Sequence, residues 1–148
     1  MSLEEMYKEV ILDHYKRPRN KRELPGATAS CHKTNPLCGD EITVEVREEE
    51  GVLVEVVFSG QGCSISQSSA SMMTEALSGK DRASAASIAR AVRAMLAAEA
   101  EPSEDELGDL VALAGVRRYP VRIKCAALAW DVLDEALAGG SATGSAPH

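Results

Sequence analysis

The sequence predicts an α+β fold, in which a small three-stranded antiparallel sheet packs against about five helices. One observation is the alternation of apolar and polar residues on both sides of Glu50 and Gly51, which is typical of a β-hairpin. Another is the spacing of apolar residues by three and four before Pro18 and again after Cys63, which is typical of amphipathic helices. Because the strands come early and most helices late, a βαβ arrangement is not predicted.

The chain opens with a predicted helix. Ser2 to Glu5 form a capping box, and apolar residues follow it at helical spacing. The helix is expected to end before Pro18, whose ring disfavours the helical conformation of the preceding residue. The weak alternation of Ala27, Ala29 and Cys31 then indicates a first strand.

The hairpin supplies the other two strands and is expected to bury one face. That face is predicted to consist of alternate apolar residues, namely Ile42, Val44 and Val46 in the first arm and Val52, Val54, Val56 and Phe58 in the second. The helices are expected to pack against the sheet that these strands form.

Four further helices are predicted after the hairpin. They run from after Cys63 to a stop at Gly79, from Ser84 to Ala98, from a capping box at Ser103 to Gly115, and onward from Pro120 as the first helical residue. Residues 139–148 are small and polar and are expected to form a flexible tail. The 148 residues therefore fit a single domain over residues 1–138, large enough to bury a core.

Composition limits the classes of partner. Apolar residues make up 45% of the chain and aromatic residues only 3%, so the core is expected to be aliphatic. The formal charge of −7 argues against nucleic acid or an anionic membrane as a partner. No stretch of the sequence is long and apolar enough for a membrane span or a leader, so a cytoplasmic protein is expected. In that reducing compartment, cysteine clusters favour metal binding or catalysis over disulfides.

Three of the four cysteines are candidates for one shared site, although they are too far apart in sequence for a local zinc knuckle. Cys38 is expected on a loop before the hairpin, Cys63 on the loop between strand and helix, and Cys125 in the first turns of the last helix. These positions could converge at one end of the sheet. With the carboxylate of Asp40, they would supply four ligands for a closed tetrahedral zinc site or for an iron–sulfur cluster.

The candidate cysteines could also have purely structural roles, and so could Cys31 and the histidines. Each candidate cysteine alone could be a buried structural residue in a turn or helix. Cys31 fits an alternating strand with no glycine or cation beside it, and it is predicted to be structural. Among the histidines, His14 is expected to be packed or capping, His32 has no second ligand at a fixed offset, and His148 falls in the tail.

Two cations precede Cys125. Arg122 and Lys124, together with the partial positive charge of a helix N-terminus, are expected to lower the pKa of a nearby thiol. Lys124 is predicted to act electrostatically and not as a ligand, because a protonated amine has no lone pair to donate. Arg122 is predicted to act in the same way or to contact a partner.

Four longer motifs resemble those of a known family. They are residues 6–15 (MYKEVILDHY) with 18–20 (PRN), 35–40 (NPLCGD), 60–66 (GQGCSIS) and 124–130 (KCAALAW). Together they resemble the IscU-like iron–sulfur assembly proteins, over a stretch from about Leu3 to Leu137. The resemblance implies an IscU/SufU-like fold with the metal site at one end of its sheet.

Two features are similar to the SufU branch of that family. Lys124 stands where IscU proper has histidine, and the segment between Cys63 and Cys125 is longer, with an extra helical stretch around residues 101–115. This resemblance implies a zinc-dependent sulfur acceptor in iron–sulfur cluster biogenesis. Such a protein is a sulfurtransferase-like carrier and not a self-sufficient enzyme.

The resemblance also implies a partner and a mechanism. A pyridoxal-phosphate-dependent cysteine desulfurase would dock, one of its side chains would take a zinc position, and Cys38 would be freed to accept persulfide sulfur. The sulfur would then pass to downstream cluster-assembly proteins. Two alternatives stay open: a scaffold on which the same four groups hold a [2Fe–2S] cluster, and a structural zinc domain that binds a partner.

Overall fold

A computed structural model describes residues 2–36, 39–101 and 103–139 of the chain. The strands are β1 (Ala29–Asn35), β2 (Asp40–Glu49), β3 (Val52–Gln61) and β4 (Lys80–Asp81). The helices are α1 (Leu3–Lys16), α2 (Ser64–Leu77), α3 (Arg82–Leu96), α4 (Glu104–Leu107) and α5 (Pro120–Gly139), with a 3₁₀ segment (Gly108–Arg118) between α4 and α5.

The sheet is an antiparallel meander in the order β1-β2-β3-β4, which confirms the α+β class but corrects the predicted number of strands from three to four. The added strand β4 is two exposed residues long and pairs with Val52 and Leu53. Two polar residues carry no alternation signal, so the pattern does not reveal this strand. Gly79 forms the turn that creates it, with φ at +87° and its N–H donating to the carbonyl of Leu53 at 2.7 Å.

The β2–β3 hairpin turns at Glu50 and Gly51 as predicted, but its buried face changes phase at a bulge. Glu48 pairs with Leu53, whereas Arg47 pairs with Glu55, so Val54 is an extra residue in β3. As a result Leu53 is fully buried, and the predicted burial of Val52 and Val54 is wrong. Beyond the bulge, the predicted burial of Val56 and Phe58 is confirmed, but Val57 on the opposite face is also fully buried, so the prediction of a single buried face is wrong at that position.

Two helices form the main layer on the sheet. α5 contacts β1 and β2, α2 contacts β3, and the two helices pack against each other. The core is aliphatic as expected, with Trp130 and Phe58 as its largest fully buried side chains. α1 packs on α2 and on the 3₁₀ segment. None of the helices in the described part of the chain is long and apolar enough to cross a bilayer.

Most helix ends follow local chemistry that the sequence contains. The Ser2 hydroxyl accepts the N–H of Glu5 at 3.1 Å, and α1 ends at Lys16, before Pro18, as predicted. α5 begins at Pro120 as predicted. α3 begins two residues earlier than predicted, because Asp81 and not a later residue is its N-cap and accepts the N–H of Ser84 at 2.7 Å.

The segment before α5 differs from the prediction of one short helix ending at Gly115. Ser103 makes no side-chain capping hydrogen bond, and α4 ends after one turn at Gly108, where φ is +56°. The chain then continues as the 3₁₀ segment through Arg118. The predicted tail after Gly139 lies outside the described residues.

Candidate metal centre

Two predicted ligands stand together at one end of the hairpin because β2 and β3 are antiparallel. Asp40 is the first residue of β2, and Cys63 follows the end of β3. Cys125 reaches them from α5, which packs across β1 and β2. One ligand atom from each of these residues lies within 4.8 Å of the other two. The fourth predicted ligand, Cys38, lies outside the described residues.

Asp40 is fully buried and is held in place by the backbone of the neighbouring loop. Its Oδ1 accepts the N–H of Cys63 at 2.8 Å. This approach requires glycine at position 62, because a Cβ there would lie 2.9 Å from Cγ of Asp40 and 2.8 Å from Oγ of Ser66. The Gly-Cys pair therefore provides close packing around the carboxylate as well as a thiol.

Cys63 is the N-cap of α2, and it is partly exposed. Its Sγ accepts the N–H of Ser66 at 3.4 Å, and the Ser66 hydroxyl donates to the Cys63 carbonyl at 3.1 Å. The sulfur thus takes the place of a capping oxygen and lies at the positive end of the helix dipole. Sequence reasoning identified Cys63 but gave Ser66 no role of its own, although the C-x-x-S spacing places Ser66 where an N-cap side chain accepts a backbone N–H.

Cys125 is fully buried in the second turn of α5, where its Sγ lies 3.9 Å from the carbonyl of Val121. Arg122, one turn earlier on the same helix, is exposed and interacts with two thiols. The charge of the Cys63 thiolate and a hydrogen bond to Cys125 raise the pKa of Arg122. This interaction with the thiols is consistent with the electrostatic role predicted for Arg122. Lys124 is exposed and forms no ion pair with the residues that the structure describes.

The chemistry and spacing of these groups fit zinc. Tetrahedral zinc with bond lengths of about 2.3 Å to sulfur and 2.1 Å to oxygen separates those two ligand atoms by about 3.6 Å. Oδ2 of Asp40 and Sγ of Cys63 are 3.8 Å apart. Asp40 has no cationic side chain against it within the described ranges, and a buried carboxylate is costly unless it is paired or bound to a metal. A divalent cation among the three groups would provide that compensation.

Cys31, the remaining cysteine among the described residues, has the surroundings of a structural residue. Cys31 is 2% exposed, and its Sγ lies 3.3 Å from Oε2 of Glu135, whose other oxygen pairs with the buried Lys33 at 3.0 Å. Burial, followed by the neighbouring Glu135, raises the pKa of the Cys31 thiol. A buried, protonated thiol is poorly reactive, in agreement with the structural role predicted for Cys31.

Two of the three histidines also have partners away from the site. His14 is fully buried, with Nδ1 at 2.8 Å from the Ser71 hydroxyl and Nε2 at 3.0 Å from Asp109, so the expectation that it is packed is confirmed. With Glu75 and Asp109 it forms a second group that satisfies metal-ligand spacing, but hydrogen bonds already engage both ring nitrogens. His32 lies 2.7 Å from the hydroxyl of Thr43. His148 lies outside the described residues.

Known proteins resemble this chain over most of its length. Residues 6–126 match the family described as "NifU-like N terminal domain". The chain is 41% identical over 137 residues to the zinc-dependent sulfurtransferase SufU of Bacillus subtilis, covering 93% of this chain and 92% of that protein. It is also 41% identical over 135 residues to the iron–sulfur cluster assembly scaffold protein IscU of Streptococcus pyogenes, covering 91% and 84%.

A solved structure also resembles this chain. The structure of a putative iron–sulfur cluster assembly scaffold protein for the SUF system from Fervidobacterium islandicum superposes with a TM-score of 0.82 at 32% identity. The superposition covers 92% of this chain and 99% of the other. On the match over residues 6–126 and the two relatives at 41% identity, the chain belongs to the NifU-like N-terminal domain family, which includes the IscU and SufU proteins of iron–sulfur cluster assembly.

Proposed function

We propose that this protein is a zinc-containing sulfur acceptor, which takes persulfide sulfur from a cysteine desulfurase and passes it on for iron–sulfur cluster assembly. The observation that carries the proposal is the convergence of a buried carboxylate and two thiols at one end of the sheet. Similarity to the zinc-dependent sulfurtransferase of B. subtilis supports zinc as the metal. The three candidate thiols need a reducing compartment, which agrees with a cytoplasmic location.

The proposed ligands are Asp40, Cys63, Cys125 and Cys38. When bound, zinc would keep the thiols deprotonated at neutral pH and would tie separate chain segments together. Asp40 orients the site through its hydrogen bond to the Cys63 N–H, and Ser66 orients the Cys63 sulfur. The guanidinium of Arg122 offsets thiolate charge from the solvent side.

Cys38 is proposed as the sulfur acceptor. Its neighbour Gly39 has φ at +71°, in the left-handed region where glycine is favoured, so the chain turns sharply just before Asp40. The thiolate of Cys38 would attack the outer sulfur of the desulfurase persulfide. The sulfur–sulfur bond of the donor breaks, the donor cysteine leaves as a thiolate, and a new persulfide forms on Cys38.

Metal analysis tests the ligand set. Native mass spectrometry is expected to show one zinc per chain in the wild type and loss of zinc in Cys63→Ser and Cys125→Ser. Cys31→Ser is the matched control, because it removes a buried thiol that lies outside the cluster, and it should retain zinc. Full zinc content in both Cys63→Ser and Cys125→Ser would refute the shared site.

Sulfur mapping tests the acceptor. The protein is incubated with a purified cysteine desulfurase and labelled cysteine, and the labelled persulfide is located by mass spectrometry without reduction. Label is expected on Cys38 and is expected to be absent in Cys38→Ser. Label on Cys63 or Cys125 with none on Cys38 would overturn the assignment of the acceptor and would leave the metal site intact.

A second candidate function is a scaffold on which the same groups hold a [2Fe–2S] cluster. The relative from S. pyogenes favours it, because that protein is named as a scaffold and is as identical to this chain as the sulfurtransferase is. Absorbance separates the two functions. A colourless protein with one zinc that gains persulfide supports sulfur transfer, whereas a brown protein with visible absorbance after purification supports the scaffold.

A further inference from the structure

An open groove lies beside the candidate metal centre, between α1 and the 3₁₀ segment, with a volume of about 500 Å³. We call it the α1 groove. Its apolar lining consists of Tyr7, Ile11, Leu12, Ile65, Val116 and Tyr119. Exposure of such side chains is unfavourable in water, and the groove is large enough to take one or two side chains of another protein.

Two of the lining residues stand out from the surface. Tyr119 is 56% exposed and Leu12 is 37% exposed, and Val121, next to the groove, is 67% exposed. Aromatic and arginine residues around an apolar depression are the composition of binding hot spots. Among the described residues, two other large apolar side chains are exposed, Met6 and Tyr15, and they lie on α1 but do not line the groove.

The charges at this groove are opposite to the charge of the whole chain. The lining includes Lys8 and Arg122, and the one carboxylate among its described residues, Glu4, is paired with Arg118 at 2.8 Å. Lys8 forms no ion pair with any residue in the described part of the chain. A net positive rim attracts a negatively charged surface, even on a protein whose overall charge is −7.

The α1 groove is continuous with the candidate metal centre. Ser64 lines the groove and directly follows Cys63, and Arg122 lines the groove while it interacts with the thiols of Cys63 and Cys125. A protein that fills the groove therefore stands over the thiols. A sulfur donor has to stand close to this centre, because Cys38, the proposed acceptor, is proposed as one of its ligands and transfer needs direct contact between the two sulfur atoms.

We propose that the α1 groove is the docking site of the sulfur donor, and that the donor inserts an apolar or aromatic side chain flanked by carboxylates. This inference rests on the proposed function, since it names the surface by which the desulfurase is bound. The inserted side chain packs between Leu12 and Tyr119. The flanking carboxylates pair with Lys8 and Arg122 at the rim.

Matched variants test the proposal with purified cysteine desulfurase as the probe. Tyr119→Ala is compared with Tyr15→Ala, and Leu12→Glu with Met6→Glu, because each pair changes the same class of exposed side chain inside and outside the groove. The two groove variants are expected to bind the desulfurase at least about tenfold more weakly, as hot-spot residues do, and the controls are expected to bind like the wild type. All four should retain zinc.

Two further measurements address mechanism and charge. The groove variants should need a higher desulfurase concentration for half-maximal persulfide formation, while the rate at saturation is retained. Binding of the wild type should weaken between low and high salt, and Lys8→Glu should reduce that salt dependence more than Lys16→Glu, its control on the same helix.

The outcomes separate the inference from the function on which it rests. If the wild type binds the desulfurase and gains persulfide, but the groove variants bind as tightly as their controls, the docking site is wrong and the proposed function stands. If the wild type neither binds nor gains persulfide, the proposed function itself fails. Sedimentation of the chain alone is the last check, because a dimer that Leu12→Glu abolishes and Met6→Glu preserves would assign the groove to a second copy.

Discussion

Replacement of Gly62 by alanine is expected to disturb the candidate metal centre without removing a ligand. The added Cβ would lie 2.9 Å from Cγ of Asp40, whereas ordinary contacts begin near 3.4 Å, so the carboxylate must move by at least about 0.5 Å. That movement lengthens the 2.8 Å hydrogen bond between Asp40 and the Cys63 N–H. Both the orientation of the carboxylate and the stability of the loop should suffer.

The size of the effect follows from these contacts. A hydrogen bond to a charged group contributes about 1.5–3 kcal/mol, so the melting temperature of the zinc-free protein should fall by roughly 3–12 °C. Loss of the group that orients a ligand typically weakens metal binding about 10-fold to 100-fold. Competition with a zinc-selective chelator measures the affinity, and calorimetry of the zinc-free protein measures the melting temperature.

Gly115→Ala is the matched control for this prediction. Its Cβ would meet only the side chain of Tyr7, at 3.8 Å, which is an ordinary contact. It should leave zinc affinity unchanged. If Gly62→Ala bound zinc within about twofold of the wild type, the argument that close approach at position 62 positions Asp40 would be refuted.

Three other predictions can be tested with the same protein. Arg122→Ala should keep zinc but slow single-turnover persulfide formation by up to about fivefold, which corresponds to the free energy of an exposed ion pair. Lys124→Ala should slow it less. Equal rates for Arg122→Ala and the wild type would contradict this prediction. Cys31→Ser should retain both zinc content and transfer rate, and loss of either would show that Cys31 belongs to the site. The hydrogen bond from Arg82 lowers the pKa of Glu48 in the folded protein below its ordinary value of 4.5. The ion pair therefore stabilises the fold at pH values above 4.5, and this stabilisation is lost as the pH falls through the lowered pKa of Glu48. The difference in urea midpoint between the wild type and Arg82→Ala should therefore be larger at pH 6 than at pH 3, and no change with pH would count against the pair.

Much of the fold could be predicted because each main element carries its own periodicity. The Glu50-Gly51 turn, the Ser2 cap and Pro120 at the start of α5 are local signals, and the structure confirms them. Strand β4 could not be predicted, because its two polar residues pair only after the turn at Gly79 has brought them to β3. Strand pairing of this kind depends on tertiary structure and not on composition.

The candidate site was predictable in part for the same reason. Cys63 and Cys125 have neighbours that mark them, and the convergence of Asp40 with both thiols follows from the order of the elements. The contact of Arg122 with the thiols had a signal, since it precedes Cys125 by three residues on one helix. The α1 groove had none, because it is formed by residues from four segments whose packing no local pattern specifies.

The bulge in the hairpin decides how insertions and deletions would affect the metal centre. If the β2–β3 pairing continued regularly from the Glu48–Leu53 pair, Gln61 would lie opposite Asp40. Because Val54 is an extra residue in β3, Gly62 lies opposite Asp40 instead. One residue corresponds to about 3.3 Å along a strand, which is more than the Asp40–Cys63 hydrogen bond could tolerate. The bulge lies about seven residues, or roughly 23 Å, from the site that it aligns. Deletion of Val54 would leave the pairing at Asp40 intact, whereas deletion of a residue between Val56 and Gln61 with the bulge retained would move Cys63 out of reach of the carboxylate.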